Sequence, residues 1–123
     1  MNDYRNLATE LVAELKKQGV DQSDVFITAG SEFSTDIRLG KIEKLEQSIS
    51  KGLGLRIIKN GATALTFTTD FADKSVKSLV KETMDIVKVS NADQYNGLAP
   101  KEHLGVYEGK LALFDDSLAK MTP

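Results

Sequence analysis

The 123-residue sequence has no cysteine, no tryptophan, one histidine and two prolines. Without cysteine there is no disulfide framework, no thiol nucleophile and no cysteine-ligated zinc or iron–sulfur site. One histidine cannot form a two-histidine metal pair. No apolar run approaches the roughly 18 residues that span a membrane, and Met1–Tyr4 lacks the basic and apolar regions of a secretory signal. We therefore expect a cytoplasmic protein with no membrane association.

The composition of the chain is that of an ordinary globular domain, with 41% hydrophobic and 28% charged residues. A chain of this length is one domain's worth of sequence and can bury a core. Sixteen basic and eighteen acidic residues give a net charge of -2. Because the chain has no excess of positive charge, we do not expect it to bind nucleic acid.

Two segments have helical periodicity. Apolar residues at three- and four-residue spacing predict a helix over about residues 3–18. A second apolar stripe predicts a helix that starts at Thr69–Asp70, with either residue as N-cap, and ends near Ser90–Asn91. Both helices have a polar outer face, which is typical of helices packed on one side.

Between the helices the apolar period changes to two, which indicates strands. Alternation runs over residues 25–29 and 31–39, and it resumes over 41–50 after an expected tight reversal at Gly40. Asn60-Gly61 between apolar segments predicts a hairpin, because both residues tolerate the positive φ of a type I′ turn. These turns leave no room for parallel crossovers.

The predicted class is α+β, a mainly antiparallel twisted sheet of four to five strands with two helices packed on one face, plus a C-terminal linker. We predict that residues 1–91 form the domain. Residues 92–123 would form a linker towards an absent C-terminal domain, with a short strand or turn near Leu111–Phe114. Thr122-Pro123 resembles a helix start, which suggests that the chain continues in a longer protein.

Two features invite a catalytic or nucleotide-binding interpretation, and each has a simpler one. His103 lies in a glycine-rich linker, with Glu102 beside it and Asp115 and Ser117 downstream, and we expect it on the surface. The Gly52-Leu53-Gly54 segment opens a strand, whereas a dinucleotide loop needs three glycines between a strand and a helix.

Several charged groups could also suggest a site, but a solvated surface explains each of them better. The first is a mixed run of acids and lysines in a predicted strand, which is typical of a protected edge; it comprises Lys41, Glu43, Lys44 and Glu46. Asp115-Asp116 supplies too few oxygen ligands for calcium, and the pair is more typical of a turn. The lysines of the second helix alternate with acids and lack aromatic neighbours for base stacking; they are Lys74, Lys77, Lys81 and Lys88. We predict no catalytic, cofactor-binding or metal-ligating residue in this chain.

An ordered series of short motifs resembles the N-terminal domain of the TldD/PmbA family, once called modulators of DNA gyrase. The series runs through residues 34–43 (STDIRLGKIE), 51–57 (KGLGLRI), 60–61 (NG) and 68–70 (TTD). In the tail, the segments 93–99 and 111–115 are similar to the linker of PmbA-type, or TldE-type, members more than to that of TldD-type members.

The resemblance implies a part in proteolysis. TldD-type subunits are zinc metallopeptidases with a His-Glu-x-x-x-His helix in the middle and C-terminal part of the chain, and PmbA-type subunits lack that motif. The partner would be a TldD-type subunit, or a second copy in a dimer, and the substrate a peptide or an unfolded protein. Zinc is expected only in the C-terminal part of a TldD-type subunit, so no cofactor is expected in this chain.

Three functional alternatives remain open. The chain can be a non-catalytic domain of a PmbA-like subunit that serves assembly and substrate confinement, or the N-terminal domain of a TldD-like peptidase. It can also be a free-standing interaction module that presents a sheet edge to peptides. The family's older name suggests contact with DNA, which the acidic balance of the chain disfavours.

Overall fold

The computed structural model describes residues 2–106, 109, 111–113, 115 and 117. The elements follow the order α1 (Asn2–Lys17), β1 (Gln22–Arg38), β2 (Lys41–Lys59), β3 (Ala62–Thr68), α2 (Asp73–Val89) and a short 3-10 helix (Lys101–His103). The α+β class and the antiparallel sheet are thus confirmed. The second helix begins a turn later than expected, because the residues around Asp70 form a separate turn.

The described residues contain three strands in the order β1-β2-β3, rather than four to five. The apolar alternation is interrupted at Gly30 and again around Gly52, yet both interruptions lie inside continuous strands. Glycine removes a side chain from the pattern but keeps its backbone donor and acceptor, so the hydrogen-bonded ladder continues. The number of strands was therefore overestimated from gaps in hydrophobicity.

Both hairpins turn through two residues with positive φ. Leu39 and Gly40 have φ values of 50° and 74°, and Asn60 and Gly61 have 51° and 76°. This is the type I′ pattern, whose twist matches that of the flanking strands. The predicted reversals at Gly40 and at Asn60-Gly61 are confirmed.

The hydrophobic core lies between the two helices and one face of the sheet. Alternate residues of β2 (Leu53, Leu55 and Ile57) are fully buried, and Leu15 of α1 is buried with them. Burial of each such side chain contributes about 1.5–3 kcal/mol. The remaining buried members of the cluster are Leu11, Val20, Ala62, Ala64, Val76, Leu79, Val80 and Val87.

Two linked side-chain hydrogen bonds lie inside this core. The Oγ1 atoms of Thr66 on β3 and Thr83 on α2 lie 2.6 Å apart, and Thr83 donates to the carbonyl oxygen of Leu79 at 2.6 Å. Since Thr83 donates to Leu79, Thr66 is the donor to Thr83. Both hydroxyls are satisfied although both residues are buried.

The chain divides into two compact units. One contains residues 1–32 and 48–98, and the other contains residues 33–47 and 99–123. In the first unit, Asp93 donates its backbone N–H to the carbonyl of Gly61 at 2.9 Å, and Leu98 donates to the side chain of Gln22 at 2.8 Å. The predicted domain boundary at residue 91 stays a prediction. Phe114, Thr122 and Pro123, on which two predictions for the tail depend, lie outside the described residues.

The turn before α2 makes stability depend on pH. Asp70 accepts hydrogen bonds from Ser75 Oγ (2.6 Å) and from the backbone N–H of Ala72 (3.0 Å), and these bonds lower the pKa of Asp70, the bond from Ser75 most. A carboxyl whose pKa is lower in the folded state stabilises the fold above its unfolded pKa and loses that contribution as pH falls through the folded value.

We therefore expect Asp70→Asn to unfold at lower denaturant concentration than the parent at neutral pH. The difference should shrink once the pH falls below about 4. Urea titrations over a pH series measure it. Ser75→Ala removes the main cause of the shift and should weaken the pH dependence, while a gap between parent and Asp70→Asn that is constant down to acid pH would contradict this account.

Candidate functional site

One exposed apolar patch lies on the face of the sheet opposite the helices. Phe26 on β1 and Phe67 on β3 are 72% and 81% exposed, and Leu65 on β3 is 69% exposed. Gly54 of β2 pairs with Phe67, and a Cβ on Gly54 would lie 3.9 Å from the carbonyl oxygen of Phe26. Gly54 of the middle strand thus lies between Phe26 and Phe67 and has no side chain of its own. We call this arrangement the open sheet face.

The fold itself does not require glycine in the middle strand. A Cβ on Gly52 would lie 3.6 Å from Thr28 Cγ2, and a Cβ on Gly54 would meet nothing closer than 3.9 Å. Both are ordinary van der Waals distances, and neither glycine has a positive φ. Glycine in a strand weakens it, and here it leaves the space between the two phenyl rings without a side chain.

A charge pair borders the open sheet face. Arg56 of β2 donates from Nε and Nη2 to the two carboxylate oxygens of Asp24 at 2.8 and 2.7 Å. These hydrogen bonds and the charge of Asp24 raise the pKa of Arg56. Arg56 pairs with Leu65 across β2 and β3, whereas its guanidinium binds Asp24 of β1 on the other side of β2. Both charged groups are nearly half exposed. An ion pair with this exposure contributes little to the stability of the fold.

A groove of about 880 Å³ runs between α1 and α2 on the other side of the first unit. Its floor consists of apolar core side chains such as Leu11 and Val80. Its rims carry acids from α1 (Glu10 and Glu14) and lysines from α2, among them Lys77. The residues that line it include no serine, threonine or histidine, so the groove has no hydroxyl nucleophile and no imidazole base.

The predicted surface position of His103 is confirmed. It ends the 3-10 helix and is exposed, as is Glu102 beside it. The hydrogen bonds of the described tail residues do not join His103 to Asp115 or Ser117. Asp115 instead accepts from the backbone N–H of Ser117 at 2.8 Å, a local bond that lowers the pKa of Asp115. Asp116 lies outside the described residues.

The other charged groups also lie where they were predicted. Glu43 and Glu46 are exposed on β2 and pair with Arg38 (3.3 Å) and Lys44 (2.7 Å). Lys88 pairs with Asp85 on the solvated face of α2 at 2.8 Å, which lowers the pKa of Asp85. The lysines of α2 are exposed. Gly52 and Gly54 lie in the middle of a strand rather than in a phosphate-binding turn.

In residues 2–106 and the described tail positions, no three His, Cys, Asp or Glu side chains converge as metal ligands. Neither α1 nor α2 combines the length and the apolarity that crossing a bilayer requires. Sequence reasoning missed the open sheet face as a whole. The sequence feature that could have revealed this face is a set of apolar residues that alternate with the core-facing residues of β1 and β3. They are Phe26, Leu65 and Phe67.

Comparison with known proteins identifies the family to which this domain belongs. A family model described as PmbA/TldA metallopeptidase domain 1 matches residues 23–87, just over half of the chain. The chain belongs to the TldD/PmbA family and contains its first domain. It is also similar to a protein of Haemophilus influenzae named Metalloprotease PmbA homolog, with 25% identity over 107 residues. That match covers 87% of this chain and 24% of the relative, so the chain spans about a quarter of the relative's length.

Proposed function

We propose that this domain is a non-catalytic part of a PmbA-like, or TldE-like, subunit. It contributes to assembly and to confinement of the peptide substrate in a cytoplasmic metallopeptidase complex. The observation that carries the proposal is the open sheet face, because a monomeric protein seldom leaves two phenyl rings and a leucine uncovered together. Membership of the TldD/PmbA family supports the metallopeptidase part of the proposal.

The residue content of the chain supports a role without metal chemistry of its own. Zinc peptidase sites of the His-Glu type need two imidazoles on one helix face. This chain has one histidine and no cysteine, and that histidine ends a single turn of 3-10 helix. The zinc would be held by a TldD-type partner, or by a later part of the parent chain if the parent is itself TldD-like.

The test combines peptide cleavage with association. We expect the purified chain to cleave no peptide in the presence of zinc, and to co-elute with a TldD-type subunit from the same organism. Phe67→Glu places a charge beside Gly54 on the open sheet face. This change should weaken the association about tenfold or more. Val89→Glu is the matched control, because Val89 is equally exposed but lies on α2. Metal-dependent cleavage by the chain alone would overturn the proposal.

A second candidate function is capture of an extended peptide by strand addition. The strand order leaves β3 at one edge of the sheet, and the described bridge on its outer side is the one between Ala62 and Ala92. Under this alternative, the chain alone would bind unfolded peptide with the same affinity whether or not residue 67 is charged. The association experiment therefore separates the two candidates.

A further inference from the structure

The two helices lie side by side and run in the same direction. At one end, the ring of Tyr4 in the first turn of α1 contacts the ring of Phe71 just before α2, with centroids 5.5 Å apart. At the other end, the groove between the helices is lined by Gln18, which follows α1, and by Lys88 in the last turn of α2. Each helix rises about 1.5 Å per residue. Equal numbers of residues after the aromatic contact therefore reach about the same height on both helices.

Opposite charges face each other across this groove at two successive turns. Glu10 and Lys77 each lie six residues after the aromatic contact, and Glu14 and Lys81 each lie ten residues after it. All four side chains line the groove, and residues four apart share one face of a helix. The two acids form one rim, which we call the glutamate rim, and the two lysines form the lysine rim opposite.

The two rims do not neutralise each other. Among the described residues, no ion pair joins α1 to α2. Glu14 instead accepts from Nε2 of Gln18 at 3.0 Å. Asp85 also lines the groove, but it pairs with Lys88 of its own helix at 2.8 Å. Both rims therefore keep charge that a third element can meet.

The floor between the rims is apolar and not fully covered. Leu11 and Val80 are buried members of the core, whereas Leu7 and Met84 pack against the core and remain partly exposed. The groove has a volume of about 880 Å³ and follows α2 over residues 73–88. At 1.5 Å per residue this is about 22 Å, or about four helical turns. An element that covers the floor must be elongated and apolar on one side.

We propose that this groove receives an amphipathic helix of a partner protein, with its apolar stripe on the floor, its acidic flank along the lysine rim and its basic flank along the glutamate rim. Helix-in-groove recognition uses an apolar stripe of this kind. The charges favour a helix over an extended chain or a compact ligand, because each rim repeats its charge after one helical turn and the flanks of a helix do the same. The groove lies on the other side of the sheet from the open sheet face, so the inference goes beyond the function proposed above.

The experiment measures the binding of three labelled peptides to the full chain by fluorescence polarisation at low ionic strength. Each is a helical peptide of about 15 residues, long enough to follow the groove, with the same leucine stripe. The mixed peptide has glutamates on one flank and lysines on the other, and the other two have lysines on both flanks or glutamates on both. We expect the mixed peptide to bind at least about tenfold more tightly than either of the others, because only it matches both rims. The net charge of -2 would by itself favour the lysine-flanked peptide.

A rim variant should reverse this preference. Lys77→Glu combined with Lys81→Glu leaves acids on both rims, so this variant should bind the lysine-flanked peptide best. It should bind the mixed peptide at least about tenfold more weakly than the parent does. Lys16→Glu combined with Lys74→Glu is the matched control, because it changes the net charge equally at two exposed residues outside the groove. This control should keep the parent's order of affinities.

Three outcomes would overturn the inference. The first is a parent that binds none of the peptides at concentrations up to about 1 mM, and the second is a parent that binds the mixed peptide no better than the other two. The third is a rim variant that keeps the parent's order of affinities. Phe67→Glu alters the open sheet face and should leave peptide binding unchanged, so failure of this inference is distinguishable from failure of the proposed function.

Discussion

Replacing Leu55 with alanine is expected to lower the free energy of unfolding by about 2–5 kcal/mol. Leu55 lies in the middle of β2, has no exposed surface and belongs to the cluster between the helices and the sheet. The truncation removes buried methyl groups and leaves a cavity that a paired central strand cannot close. For a domain whose total stability is about 5–15 kcal/mol, such a loss is large.

Urea denaturation followed by circular dichroism measures this loss. Leu65→Ala is the matched control, because Leu65 lies on the neighbouring strand with its side chain on the open sheet face. It removes the same atoms from a position that is 69% exposed, so the expected change is within about 0.5 kcal/mol. Equal losses for the two variants would show that the core does not lie on the helical side of the sheet.

Thr83→Val is expected to destabilise the domain by about 1–3 kcal/mol, although valine is more apolar than threonine and nearly the same size. The Thr83 hydroxyl donates to Leu79 and accepts from Thr66, both at 2.6 Å, inside the core. Valine breaks both bonds and leaves the Thr66 hydroxyl buried without a partner. The cost is that of an unsatisfied buried group rather than that of one lost hydrogen bond.

A double-mutant cycle distinguishes these two causes. Adding Thr66→Val to Thr83→Val removes the orphaned hydroxyl, so the double variant should recover a substantial part of the stability lost by the single one. The free energies of unfolding of the parent, both single variants and the double variant complete the cycle. Strictly additive losses would mean that the two threonines do not share a hydrogen bond.

Local patterns in the sequence predicted the helices and the reversals well. The period of the apolar residues located α1 and α2 to within a few residues, and Asn60-Gly61 marked the second hairpin because its residues tolerate positive φ. The predicted four to five strands are not confirmed in the described residues, which form three, because Gly30 and Gly52 interrupt hydrophobicity without interrupting backbone pairing. Thr83 belongs to the apolar stripe of α2 by its spacing, and the structure shows that its polar side chain is a satisfied part of the core.

Composition and motif order established the α+β class, the family resemblance and the lack of a two-histidine metal pair in this chain. These properties depend on residues that are close in sequence or on residue counts. The open sheet face and the exposure of Leu39 depend on the folded chain instead. Phe26, Gly54 and Phe67 come from three strands, and they become neighbours only when the strands pair. Leu39 has the same alternation signal as a core residue, and only the folded chain shows that its side chain is exposed.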